Sequence, residues 1–96
     1  MITKMDGQVI EWDDSKNELN VQKHGISFKL AVRVFYDEKR IEYYDHAHSG
    51  KESRYIVLGL VKDVLFVVYT ERGDSIRLIS ARPATKAEKE IYYGNY

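Results

Sequence analysis

The order of elements in this sequence, β-α-α-β-β-β-β-α, predicts an α+β domain with helices packed on a curved antiparallel sheet. Three observations carry the prediction. The β-rich runs Arg54–Leu60, Val64–Thr70 and Ser75–Ala81 follow one another, with Lys62-Asp63 and Gly73-Asp74 as turn residues between them. Ahead of them lie two segments bounded by helix-capping residues. Behind them, Thr85 and Glu88 stand at the spacing of a capping box, which starts a final helix running to about Tyr93.

The elements follow in order. Val9–Trp12 reads as a short strand, and Asp13 or Asp14 caps a helix running to about His24, where Gly25 stops it. Ser27 caps a second helix, Phe28–Phe35, whose Phe28, Ala31, Val32 and Phe35 share one face at i, i+3, i+4 and i+7. Arg40–Tyr44 alternates weakly as a strand, and Asp45–Lys51 is a polar loop. With two-residue turns, Tyr55, Thr70, Arg72 and Arg77 share one face of the meander. Arg54, Tyr69, Glu71 and Arg82 then share the other, with Arg54 opposite Glu71.

Composition narrows the classes of function. The chain has 96 residues, 44% of them hydrophobic and 12% aromatic, which suits one folded domain spanning residues 1–96. It has no cysteine, so thiol nucleophiles and thiolate metal sites are excluded. The longest apolar run, Tyr55–Val61, falls far short of the ~20 residues that span a bilayer. Met1–Gln8 lacks the apolar segment of a secretory signal, so the expectation is a cytoplasmic protein that does not bind membranes. Fifteen basic and fifteen acidic residues cancel, yet residues 72–89 hold five basic residues against two acidic ones. A neutral chain with a cationic end can still focus a field on a phosphate backbone.

Arg72, Arg77 and Arg82, one every fifth residue along the last hairpin, are an awkward choice for packing a sheet. They suit phosphate, because a guanidinium donates parallel hydrogen bonds and stays charged at any working pH. The expectation is that Arg77 and Arg82 meet over one anionic linkage. Their odd spacing requires either a bend at Ala81–Pro83 or separate tasks for the two.

The residues also carry a family resemblance. Ile10-Glu11-Trp12-Asp13, Lys16, Asn20, Lys23-His24-Gly25, Ser27-Phe28, Ala31 and Val34-Phe35 resemble the N-terminal half of BrnT-type toxins. His48-Ser49, Glu52 and Arg54 are similar to that family's central segment. Val68-Tyr69-Thr70, Arg72-Gly73, Ile76-Arg77, Ile79-Ser80-Ala81-Arg82, Ala84 and Glu88 resemble its C-terminal signature. The likeness covers roughly residues 9–93. It implies a RelE-like fold, ribonuclease activity that inhibits translation, and neutralisation by a BrnA-like antitoxin of the ribbon-helix-helix type, through which alone operator DNA is bound. Asp14 and Glu38 stand where many members carry proline, which affects helix and turn starts only.

RNA cleavage without a metal needs a group to take the 2′-OH proton, cations around the phosphorane and a proton donor for the leaving oxygen. No cofactor and no resident metal are expected. His24 is the leading titratable candidate, with Lys23 beside it; the competing role for both is to complement a helix C-terminus. Arg77 and Arg82 are expected at the phosphate, with pairing to carboxylates such as Glu88 as the competitor. Glu52 and Arg54, at i and i+2, permit a carboxylate oriented by an arginine or a plain surface pair. Trp12, His48, Arg72 and Lys86 are candidate RNA contacts; Trp12 could serve as a stacking platform, though a lone tryptophan at a strand end is more often core. Tyr92, Tyr93 and Tyr96 suit RNA, an antitoxin interface or packing.

Two other readings use the same residues. One is a non-catalytic module whose basic face only docks an antitoxin or nucleic acid. The other is a metal nuclease using Asp45, His46 and His48, for which no fourth ligand is evident.

Overall fold

A computed structural model describes residues 2–5 and 7–94; Tyr96 lies outside the described residues. The chain forms β1 (Ile2–Met5), β2 (Gln8–Glu11), α1 (Asp14–His24), α2 (Phe28–Ala31) continuing as a 3-10 turn over Val32–Tyr36, and β3 (Ile41–Tyr44). The strands β4 (Arg54–Val61), β5 (Asp63–Arg72) and β6 (Ser75–Pro83) precede α3 (Lys86–Gly94). The strands make one sheet in the order β1-β2-β6-β5-β4-β3. The α+β class is as expected, with two differences. The sheet is mixed, because β2 joins β6 in parallel, and β1 adds an antiparallel strand at its edge.

The helix caps form where the sequence places them. The Asp13 carboxylate accepts from Ser15 N and Lys16 N, and Gly25 closes α1 in the left-handed conformation at φ 71°. Ser27 Oγ accepts from Leu30 N at 3.1 Å. The Thr85–Glu88 box is reciprocal: Glu88 N donates to Thr85 Oγ1 at 3.2 Å and Thr85 N to Glu88 Oε1 at 2.8 Å.

The β4–β5 turn overturns one register. Lys62 alone forms its apex, at φ 64°, so Val61 pairs with Asp63 and Arg54 with Thr70, one residue away from the expected Glu71. The second turn, Gly73-Asp74, is the expected two-residue type, pairing Thr70 with Arg77. Farther along β6 the register shifts between Val68 and Tyr69, whose partners are Ser80 and Leu78, leaving Ile79 as the extra residue of a bulge. The turn and the bulge together redistribute the arginines. By strand alternation, Arg54, Arg72, Arg77 and Arg82 all belong to one face, and Tyr55, Tyr69 and Glu71 to the other.

The face bearing Tyr55 and Tyr69 packs on the helices. Val57, Val67, Leu78 and Ala81 meet Phe28, Ala31, Val32 and Val34 in the main core. A Cβ at Gly59 would stand 2.7 Å from Val34 Cβ, so only glycine admits the 3-10 turn at that height. The arginine face is covered at one end by α3, where Tyr92 and Ala84 pack on Leu58 and Val64. The Asp37 carboxylate braces that end, accepting from Tyr92 OH and from Leu60 N.

α1 is held by amides rather than by an apolar stripe. Asn20 is its buried residue. Its Nδ2 donates to Ile26 O and to Ala81 O, both at 2.8 Å, and its Oδ1 accepts from Ala81 N at 3.1 Å. Asn17 Oδ1 accepts from Phe28 N at 2.7 Å. The carboxamide of Asn20 thus replaces a neighbouring strand along β6, beyond the point where β2 pairing ends.

Three stability predictions follow from these contacts. Asn20→Ala leaves the buried groups of Ala81 without partners and should lower unfolding free energy in urea by about 2–4 kcal/mol. Gly59→Ala forces β4 and the 3-10 turn apart and should cost about 1–3 kcal/mol. The third concerns acid. Burial raises the Asp37 pKa, but hydrogen bonds from Tyr92, Leu60 and Lys39 outweigh it and hold the carboxyl below its ordinary value. A depressed folded pKa gives stability that is present above the unfolded value of about 4 and lost as pH falls through the folded one. Urea midpoints of wild type and Asp37→Asn should therefore converge as pH falls below about 4.

Candidate nucleic-acid site

The uncovered end of the arginine face forms a recess of about 330 Å³ lined by Asp45, His48, Arg54, Ile56, Phe66, Val68, Ser80 and Arg82. Its floor is the central strands. Ile56, Val68 and Ser80 lie across β4, β5 and β6 in one row, and Phe66 pairs with Arg82 in another. Its rim is the Asp45–Ser53 loop on one side and the first turn of α3 on the other.

Arg82 is fixed before any substrate arrives. Its guanidinium carbon lies 3.8 Å from the Phe66 ring centroid, and Nη1 and Nη2 donate to the two Glu88 oxygens at 2.8 and 2.9 Å. Arg82 holds the Glu88 carboxyl below its usual range against the opposing effect of burial. Because Glu88 is also bonded to Thr85 N, the α3 cap and the arginine fork share one carboxylate.

The loop is equally well tied down. Asp45 N donates to Arg54 O at 2.8 Å, Arg54 N to Ser49 Oγ at 2.9 Å, and Ser49 Oγ to Asp45 O at 2.7 Å. Thr70 Oγ1, nearly inaccessible, donates to Ser53 O at 2.6 Å. The Asp45 side chain is 9% exposed and accepts from His48 N at 3.2 Å, a local turn that also sets the histidine ring beside it. His48 Nδ1 lies 3.0 and 3.2 Å from the two carboxylate oxygens.

A second recess of about 220 Å³ adjoins the first, sharing Ser80, and is lined by Lys16, Leu19, Asn20, Lys23, His24 and Ile79. Residues 16, 19, 20 and 23 form one stripe of α1, and the Asn20 bond to Ala81 turns that stripe toward β6. Lys23 and His24 occupy the last turn of the helix.

The remaining candidates lie apart from these recesses. Arg77 and Arg82 face the same way but do not meet: Arg77 Nη1 pairs with Glu11 at 3.4 Å, while Arg82 is held by Glu88. Register places Arg77 beside Glu11 on β2, several residues along β6 from the recess. Glu52 does not serve Arg54; it faces the exposed Arg72 at 3.8 Å. Lys86 is an exposed residue opening α3. Trp12 is no stacking platform: it is 6% exposed and meets Phe28 edge-on at 6.3 Å, deep in the core. Tyr92 is core and Tyr93 half exposed. His46 stacks edge-on against Tyr44, and among the described residues no group of three His, Cys, Asp or Glu is placed to hold a metal.

Sequence reasoning left Phe66 and Ser80 out of the site and took Asp45 only as a metal ligand. Asp45-x-x-His48 has the spacing of an aspartate that caps a backbone N–H three residues on, and that signal could have found the pair.

Known proteins match this architecture. Residues 12–88 match the family model described as "Ribonuclease toxin, BrnT, of type II toxin-antitoxin system". The fold is similar to the crystal structure of the Brucella abortus ribonuclease toxin BrnT, with a TM-score of 0.64 and 25% identity, covering 80% of this chain and 96% of that one. No curated protein sequence matches the chain. The matched span runs from the strand–helix junction at Trp12 through the Glu88 that grips Arg82, and so contains both recesses: the chain belongs to the BrnT family of ribonuclease toxins of type II toxin–antitoxin systems.

Proposed function

We propose that this chain is a cytoplasmic toxin that cleaves RNA without a metal cofactor and thereby inhibits translation. On this reading its fold is RelE-like, and a BrnA-like ribbon-helix-helix antitoxin neutralises it and carries any contact with operator DNA. One observation supports the reading most strongly: Arg54, Arg82 and His48 converge on one concave recess at the open end of the sheet.

The physical case rests on charge and rigidity. An RNA phosphate entering the recess meets two guanidinium groups; that of Arg82 is held by Glu88 and Phe66, and Arg54 is anchored through its main chain, which limits the reorganisation that accompanies binding. Glu88 occupies part of the Arg82 fork, but a guanidinium has five donors and one carboxylate does not use them all. Ile56, Phe66 and Val68 form an apolar floor against which a base or ribose can rest. Lys16, Lys23 and His24 in the adjoining recess suit the next phosphate along the strand, with Arg72 and Lys86 as outer contacts. Arg77 and Glu52, each paired outside the recess, have structural roles here.

Cleavage of end-labelled RNA in excess EDTA tests this directly. Arg54→Ala and Arg82→Ala, confirmed folded by circular dichroism, should each lose about 100-fold or more in rate, the usual effect of removing one preorganised donor. Arg77→Ala should stay near wild type. Activity abolished by EDTA and restored by a divalent ion would contradict metal independence. RNA binding without cleavage, by pure monodisperse protein, would support the alternative of a binding module.

A further inference from the structure

A buried carboxylate, Asp45, stands against the ring of His48 at the edge of the recess. We infer that Asp45 and His48 form a proton-transfer pair: His48 is the catalytic base that takes the 2′-OH proton of RNA, and Asp45 is the positioning residue that orients its ring. The inference rests on the ribonuclease reading of the recess and adds the identity of its base.

Geometry carries the assignment. Asp45 is buried, and its carboxylate meets the N–H and ring Nδ1 of His48 at 3.0–3.2 Å. A carboxylate only accepts hydrogen bonds, so Nδ1 must carry a proton and Nε2 is left as the basic nitrogen. The histidine side chain is 71% exposed where it lines the recess, so Nε2 is open to a substrate. Arg54 and Arg82 line the same recess and supply the cations that accompany such a base. Among the described residues, no carboxylate orients the competing histidine, His24.

The backbone makes the pair rigid. Ser49 Oγ bonds to Asp45 O, and Asp45 N bonds to Arg54 O, so the carboxylate is attached to the first residue of β4. The step itself balances. The 2′-oxygen forms a bond to phosphorus as its proton passes to His48 Nε2, and the P–O5′ bond breaks. The leaving oxygen takes a proton from water, and His48 later returns its own to solvent. The products are a 2′,3′-cyclic phosphate and a 5′-hydroxyl, with no net uptake of water or protons.

Asp45 from the loop, Arg54 from β4 and Arg82 from β6 share the recess with the imidazole, and Tyr43 of β3 lies within electrostatic reach of Asp45, Arg82 and the α3 residue Glu88. Burial and the nearby Glu88 and Asp45 carboxylates raise the Tyr43 hydroxyl above its ordinary pKa, which keeps it neutral near pH 7.

The test combines rate profiles with a readout that does not depend on cleavage. In wild type, kcat/KM for a dinucleotide-containing RNA should rise with pH through one ionisation and release a cyclic phosphate. In Asp45→Asn, kcat should fall about 10- to 100-fold with KM little changed, and the acidic limb of the profile should move to lower pH as the neighbouring negative charge is lost. His48→Ala, which spares the Asp45 backbone network, should remove that limb. Nitrogen-15 NMR of the wild-type imidazole should show Nδ1 protonated at neutral pH, and this preference should weaken in Asp45→Asn.

Wild-type rates and pH profiles in both folded variants, with Arg54→Ala and Arg82→Ala still inactive, would overturn the pair and leave the ribonuclease reading standing. Absence of cleavage by wild-type protein would remove both. A 3′-phosphate with no cyclic intermediate would also overturn the assignment.

Discussion

The carboxamide of Asn20 decides the shape of this molecule. It sits on a helix with almost no apolar face, yet it makes three hydrogen bonds, two of them to the main chain of Ala81. Without it, β6 would present a bare edge beyond the point where β2 stops pairing, and α1 would lose its hold on β6. A buried amide that satisfies both an N–H and a C=O is costly to replace, because loss of either leaves a polar group unpaired in the core. The helix is thus located by polar geometry, and the stripe of Lys16, Leu19 and Lys23 comes to lie beside the sheet as a consequence.

That anchoring point lies two residues past the bulge at Ile79 and one before Arg82. The bulge turns an odd spacing into an even one, so that Arg77 and Arg82 emerge on the same side. The clamp then keeps the following segment from relaxing. Arg82 lands over Phe66 and within reach of Glu88, where stacking and a two-pronged ion pair fix its plane. Opposite it, the side chains of Ser49 and Thr70 staple the loop carrying His48 to β4 and β5. Two independently rigid walls therefore face each other across an apolar floor, the kind of preorganised cationic recess in which electrostatic stabilisation is strong.

Much of the fold was legible because its signals are local. The caps at Asp13, Ser27 and Thr85, the stop at Gly25 and the Gly73-Asp74 turn each depend on a few adjacent residues, and all form as read. What was not legible depends on single-residue choices with distant effects. Lys62 adopts a left-handed conformation that lysine rarely takes, which shifts Arg54 by one position and to the other face. The Ile79 bulge carries no glycine to announce it. The parallel pairing of β2 with β6 joins segments more than sixty residues apart, beyond any local pattern. For the site, residue types were readable but partners were not: Arg77 found Glu11 on a strand whose position was unknown, and Trp12 found Phe28 in the core.

The central claim is that RNA lies on the arginine-bearing face of the sheet, across the recess between the His48 loop and α3. Titrating labelled protein with a short 2′-O-methyl RNA, which binds but lacks the attacking hydroxyl, and following amide and side-chain NMR signals measures this most directly. The account predicts saturable shifts at His48, Arg54, Ser80 and Arg82, extending to Lys23 and His24. Shifts confined to the opposite face, around Tyr55, Tyr69 and Glu71, with the recess unmoved, would contradict it.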